Sequence, residues 1–248
     1  MSPSASEGQS LEVHALLPLD FRLPSRLAGL RLVPGRRIAA LVGIDHAPEE
    51  ETREEALARH REVCAAVSKL GACIPLPCGL VFPAAAPLHA WLSQRETAFE
   101  RALEDVAGCE EWVVTLVENA QSHGAWLAAR DPGLARMESG AVDKAKLGRL
   151  AAAQEAARQA RRGVIAARVE GALSALSKAG SRERPAGQEG AGQAGRQSWS
   201  VLVPAESVMT LRLALAAEAK GLAGTGLLLD IAESLPAYRF ARGVTHDA

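Results

Sequence analysis

At about 150 residues per domain, 248 residues make one large domain or two small ones. Hydrophobic residues supply 48% of the chain but aromatics only 4%, so Leu, Val, Ile and above all Ala must fill the core, and Ala-rich helices are the expected material. Lys and Arg number 28 against 29 Asp and Glu, a net charge of −1, and no basic tract is interleaved with aromatics, which excludes a nucleic-acid binder on electrostatic grounds.

Residues 1–8 carry neither the basic nor the apolar stretch of an export signal, so the expected compartment is the cytoplasm. Leu11-Glu12-Val13-His14-Ala15-Leu16-Leu17 and Arg37-Ile38-Ala39-Ala40-Leu41-Val42-Gly43-Ile44 read as strands. Glu49, Glu50 and Glu51 place negative charge at the start of a helix on which Leu57, Val63, Val67 and Leu70 keep helical spacing as far as Gly71. Between Lys69 and Arg95 stand 25 residues without a charge, long enough for a membrane span on that count. Pro75, Pro77, Pro83 and Pro87 break any helix there, so the stretch belongs to a folded protein and no membrane is expected as a partner. It is expected to supply a strand from about Ile74 to Phe82 and then, from Pro87, a helix lined by Leu88, Leu92, Phe99, Leu103 and Val106 and stopped by Gly108.

Glu111-Trp112-Val113-Val114-Thr115-Leu116-Val117 has the content of a strand, and a mixed region follows to Met137. Residues 141–179 form a long or broken Ala-rich helix with two seams, one of Leu147, Leu150, Ala153, Ala157, Ala160 and Val164, the other of Ile165, Val169, Leu173 and Leu176. Residues 180–197 hold five glycines and no large hydrophobe, the composition of a flexible linker. Trp199 to Pro204 reads as a strand, residues 205–222 as a helix and Gly226 to Ile231 as a closing strand, a crossover unit with which the strand near Val113 can pair. The fold class is α+β, with two mixed domains of ferredoxin-like sheets and packed helices. The first spans 1–107 and the second 108–248, which contains the Ala-rich helix and the flexible insertion.

His60 and Cys64 stand four apart on a helical face, and Cys73 and Cys78 follow, so one His and three Cys form a candidate tetrahedral metal site. The spacing is not that of a zinc knuckle, and scattered cytoplasmic cysteines are usually small buried hydrophobes. Cys78 with His60 or His89 is the nearest nucleophile and base. No nucleophile elbow, phosphate loop or dinucleotide fingerprint is present, and Glu110 and Glu111, adjacent in a strand, point to opposite faces. Trp91, Trp112, Trp126 and Trp199 are expected in packing roles. The residues thus point to no enzyme and no cofactor. The alternative is a cytoplasmic metal-dependent enzyme or binder using the His/Cys cluster.

Arg59-His60-Arg61-Glu62-Val63 followed by Ile74-Pro75-Leu76-Pro77-Cys78-Gly79-Leu80-Val81-Phe82, then Gly108-Cys109-Glu110-Glu111-Trp112, then Val201-Leu202-Val203-Pro204, Gly226-Leu227 and Leu235-Pro236-Ala237-Tyr238-Arg239-Phe240, keep one order along the chain. In that order they resemble the motifs of the gas vesicle accessory L/F family (GvpL/GvpF), over roughly residues 11–240. The chain departs at Pro77, Cys78 and Leu80, where that family tends to have Arg, Phe and Thr, and at Ala232, Glu233, Ser234 and Leu235 near the end. The resemblance implies a non-catalytic, gas vesicle associated accessory protein for vesicle assembly. Its implied partners are the small hydrophobic major shell protein and other accessory proteins. The uncharged Pro-rich segment and the tail are the expected contact surfaces, with His60, Pro75, Gly79, Phe82, Pro236, Tyr238 and Phe240 as partner-binding candidates.

Overall fold

A computed structural model describes residues 10–25, 27, 29–44, 51–138, 143–183 and 195–240. The expectations placed on residues 1–8, on Glu49 and Glu50, on 141–142 and on 184–194 lie outside the described residues. Two units divide the chain, Met1–Glu111 with Ser234–Ala248, and Trp112–Glu233. In this division the segment Ser234–Ala248 belongs with the first unit; Pro236 and Ala237 are buried, and the Glu111 carboxylate accepts the Arg239 backbone N–H at 3.1 Å.

The first unit runs β1 (Leu11–Pro18), β2 (Leu30–Pro34), β3 (Ile38–Ile44), α1 (Arg53–Ser68), β4 (Ile74–Pro75), β5 (Val81–Phe82) and α2 (Ala85–Val106). Its sheet is ordered β2-β3-β1-β4, with β5 also pairing β1. β1 is therefore central, which explains why six of its eight residues are buried rather than every second one. β2 was not expected from the sequence, because Arg31 and the flanking Pro34 and Gly35 obscure its short apolar pattern; pairing with β3 through Leu32↔Leu41 overrides that weak signal.

The strand expected over 74–82 is two dipeptides instead. Pro75 and Pro77 have no N–H to donate, and Gly79 turns the chain at φ +84°, so continuous pairing stops after Pro75. The intervening loop is nevertheless tied to β1, by Leu76 N–H to His14 C=O at 2.9 Å and Val13 N–H to Leu80 C=O at 2.8 Å. α1 starts at a capping box: the Glu55 N–H reaches the Thr52 hydroxyl at 3.3 Å, and the Thr52 N–H reaches the Glu55 carboxylate at 2.8 Å.

The second unit takes up β6 (Cys109–Glu118), which begins just before the boundary, and continues through α3 (Ala120–Ala128), α4 (Pro132–Glu138), α5 (Lys144–Leu176), β7 (Ala179–Glu183), β8 (Arg196–Pro204), α6 (Val208–Gly221) and β9 (Leu227–Leu235). Strand, helices, two strands, helix and strand, in a sheet ordered β7-β8-β6-β9, make the ferredoxin-like arrangement with β6 between the strands of the last crossover. The first unit is also α+β, but three strands precede its first helix, so its order differs.

α5 is continuous through Gly148, Gly163 and Gly171, about 50 Å of helix. Of its two expected seams only the second is core. Ile165, Ala166, Val169 and Leu173 are buried against Trp112, Val114, Leu211 and Leu215, whereas Leu147 and Val164 of the first seam are more than half exposed. The ends of the expected linker are ordered rather than flexible: β7 pairs antiparallel with β8, from Ala179↔Leu202 to Glu183↔Ser198.

One polar cluster braces this unit. The Glu118 carboxylate, 6% exposed, accepts from His123 Nδ1 at 2.8 Å and Arg162 at 3.2 Å, with Arg158 at 3.6 Å. Glu118→Gln is expected to destabilise the protein by about 1–3 kcal/mol, because it leaves two guanidinium groups facing a neutral amide in a largely desolvated place. Urea unfolding of the two proteins side by side measures this, and an unchanged midpoint would refute it.

Candidate functional site

β1 carries a β-bulge at His14, where the register with β3 shifts between Val13 and Ala15. A bulge turns two successive residues toward one face. Here His14 bonds to His60 of α1, while Ala15 and Leu17 pack with Val67 and Val63 of the same helix. Glu12, His14 and His60 are thereby brought together, each offering a ligand atom within 4.8 Å of the others, and they are such a group among the described residues.

The hydrogen bonds assign the tautomers. The Leu76 carbonyl can only accept, so His60 Nε2 carries a proton and donates it over 2.9 Å. His60 Nδ1 is then an acceptor and takes the N–H of His14 Nδ1 at 3.1 Å. This leaves His14 Nε2 buried and unpartnered, facing Gly43, whose added Cβ would lie 3.0 Å from it. Burial pushes the His14 ring down to about 4, Glu12 pulling it up and His60 and Arg59 pushing it further down. Burial lowers His60 as well, against the bond to Leu76. Arg59 closes the outer side, donating to Glu12 at 3.0 Å and to Glu51 at 3.0 Å, and these carboxylates hold its guanidinium above its ordinary range.

The cysteines expected to join His60 take other places. Cys64 is buried and donates toward the His14 carbonyl at 3.5 Å; burial pushes its thiol up to about 12, with the Tyr238 hydroxyl beside it. Cys73 lies in the apolar cluster with Ala15, Leu17, Leu41 and Val67, and burial raises it strongly. Cys78 is half-buried, and burial followed by the charge of Glu12 raises its thiol also. Each is thus kept a thiol, the weak form as nucleophile and as ligand. Cys64 does keep its sulfur 3.6 Å from His60 Nε2, but Cys73 and Cys78 do not join that pair in a tetrahedron, since the polar side chains grouped with His60 are His14 and Glu12 of β1. His89 is exposed on α2.

His14 and Glu12 were not singled out from the sequence as ligands. Their i, i+2 spacing on a strand was the available signal. Of the seven contact candidates, His60, Pro75 and Pro236 are buried, Phe82, Tyr238 and Phe240 half-buried and Gly79 exposed, and all belong to the first unit. Phe82 stacks on Trp91 at 5.5 Å between ring centroids, and Trp91 on Phe99 at 4.9 Å. Glu111 is buried with Arg239 at 3.6 Å. A cleft of about 490 Å³ in the second unit is lined by Ala120, Gly124, Ala125, Ala151 and Arg158, and neither His nor Cys lines it.

A two-unit α+β protein with one ferredoxin-like unit, a buried histidine pair and a tail folded onto its first unit is the class these features define. The model of a family described as gas vesicle synthesis protein GvpL/GvpF matches residues 25–242, and the chain belongs to that family. The gas vesicle protein GvpF from Anabaena sp. PCC7120 has a similar crystal structure, with a TM-score of 0.73, 14% identity, and coverage of 94% of this chain and 98% of that one. GvpF from Microcystis aeruginosa gives a TM-score of 0.69 at 17% identity over the same shares. No curated protein matches the sequence. Among the described residues no helix is long and apolar enough to cross a membrane.

Proposed function

We propose that this chain is a cytoplasmic, non-catalytic accessory protein of gas vesicle assembly that binds the small hydrophobic shell protein or another accessory subunit. The family match over residues 25–242 carries this reading. The surface it uses is the uncharged stretch of the first unit, where Pro77, Gly79 and Val81 stand exposed, Val81 to 53%. Phe82 beside it is half-buried, and the tail residues Tyr238 and Phe240 belong to the same unit. Exposed apolar side chains suit an apolar partner segment, which loses water on contact, and Glu12, paired across from Val81, borders the patch.

The test is a pull-down from a strain that co-expresses the vesicle components. The wild-type chain is expected to retain the shell protein or an accessory subunit, and Val81→Asp, with its fold checked by circular dichroism, is expected to retain several-fold less. Recovery of no vesicle component, or a normal number of vesicles after deletion of the gene, would refute the reading.

A further inference from the structure

We propose that Glu12, His14 and His60 bind one Zn²⁺ ion, through the Nδ1 atoms of the two imidazoles and a carboxylate oxygen, with the fourth position left to water. The site is independent of the role in vesicle assembly. Its three ligand atoms lie within 4.8 Å of one another, and the two Nδ1 atoms are 3.1 Å apart. In a tetrahedral site with Zn–N bonds of about 2.0–2.1 Å, neighbouring ligands stand about 3.3 Å apart, so the two nitrogens are already near ligand spacing and each ring has only to tilt its Nδ1 lone pair toward the ion.

The surroundings of His60 are those a ligating histidine requires. His60 donates its other nitrogen to the Leu76 carbonyl at 2.9 Å, which orients the ring and leaves the Nδ1 lone pair directed at His14. Glu12 is held by Arg59, 3.0 Å away, and the charge of Arg59 is balanced by Glu51. His14, fully buried, has no partner besides His60 among the hydrogen bonds of its ring, and its Nε2 is left without one. The half-buried Glu12, its side chain 20% exposed, supplies the route from solvent. Two imidazoles and one carboxylate suit zinc, whereas calcium and magnesium take oxygen ligands throughout.

The experiment uses the full chain without a histidine tag, stripped with a chelator and titrated with zinc sulfate against a fluorescent zinc indicator, in parallel with calcium chloride. One equivalent of zinc per chain is expected, with no calcium uptake, and cobalt(II) in place of zinc is expected to give the visible absorption of a tetrahedral ion. Glu12→Gln sits at a partly exposed position and is expected to keep the fold, checked by circular dichroism, while weakening zinc binding by more than the roughly 10–100-fold typical of lost outer-sphere support. Arg59→Ala is expected to fall within that range, and Cys73→Ser to bind as the wild type does. Absence of stoichiometric zinc, equal binding by Glu12→Gln, or loss on Cys73→Ser with binding kept in Glu12→Gln would each overturn the site.

Discussion

Gly226→Ala is expected to cost the protein more than about 3 kcal/mol and to lower its melting temperature by on the order of 10 °C. Gly226 has φ +80°, a conformation that charges an L side chain about 1–2 kcal/mol. A Cβ there would also meet the backbone of α3, at 2.3 Å from His123 N, 2.7 Å from His123 Cα and 2.8 Å from Ser122 C. Those atoms have nowhere to go. The His123 N–H is bonded to the Asn119 carbonyl at 2.9 Å, and the Asn119 N–H to the Gly226 carbonyl at 2.8 Å, so the close approach is itself a hydrogen-bonded junction between the end of β6 and the start of β9. Gly224→Ala separates the two causes. Gly224 has φ +73° with nothing within 4 Å of its would-be Cβ, so that variant should lose only the conformational part, about 1–2 kcal/mol. Thermal unfolding of both variants decides the matter, and equal losses would remove the steric argument.

Trp112→Ala should destabilise the second unit by about 3–5 kcal/mol. Its side chain is 1% exposed on β6 in the core cluster with Val114, Leu116, Ile165, Val169, Leu211 and Leu215, under the Arg212 guanidinium at 5.8 Å from the ring centroid. A chain with only 4% aromatics has few side chains large enough to refill such a space, and the Val, Leu and Ile neighbours are already packed in place. Urea unfolding followed by the remaining tryptophans reads the loss. A cost below about 1 kcal/mol would mean that the core collapses onto the gap. Trp112→Phe should recover most of the stability.

Much of this architecture was readable from residue order. Alternating or continuous apolar runs marked β1, β3, β6, β8 and β9, and helical spacing marked α1, α2, α5 and α6, because each element buries a face whose period is written locally. The break of the 74–82 strand turned on main-chain chemistry at Pro75, Pro77 and Gly79, where the apolar run spoke for extension and the missing N–H groups spoke against it. β2 and β7 were missed for the opposite reason, since both are edge strands made by a partner: β2 by β3, and β7, cut from a Gly-rich stretch, by β8. Which seam of α5 would be core was equally undetermined, because Ala-rich seams carry little apolar contrast and burial depends on what packs against them.

The candidate site divides along the same line. His60 was noticed for its spacing from Cys64, a local relation that holds, since the Cys64 sulfur lies 3.6 Å from the His60 ring. Its ring partner His14 comes from a strand 46 residues earlier, and the carbonyl that accepts from its other nitrogen belongs to Leu76, beyond the helix. A helix states its own neighbours three and four residues away, but it is silent about which strand will lie beneath it. Composition, the lack of a catalytic signature and the ordered motifs were enough for an α+β chain of the gas vesicle family. The meeting of Glu12 and His14 with His60, the return of Pro236 and Ala237 to the first unit and the junction at Gly226 needed the folded chain, for they are long-range contacts whose geometry arises only when separate elements are packed together.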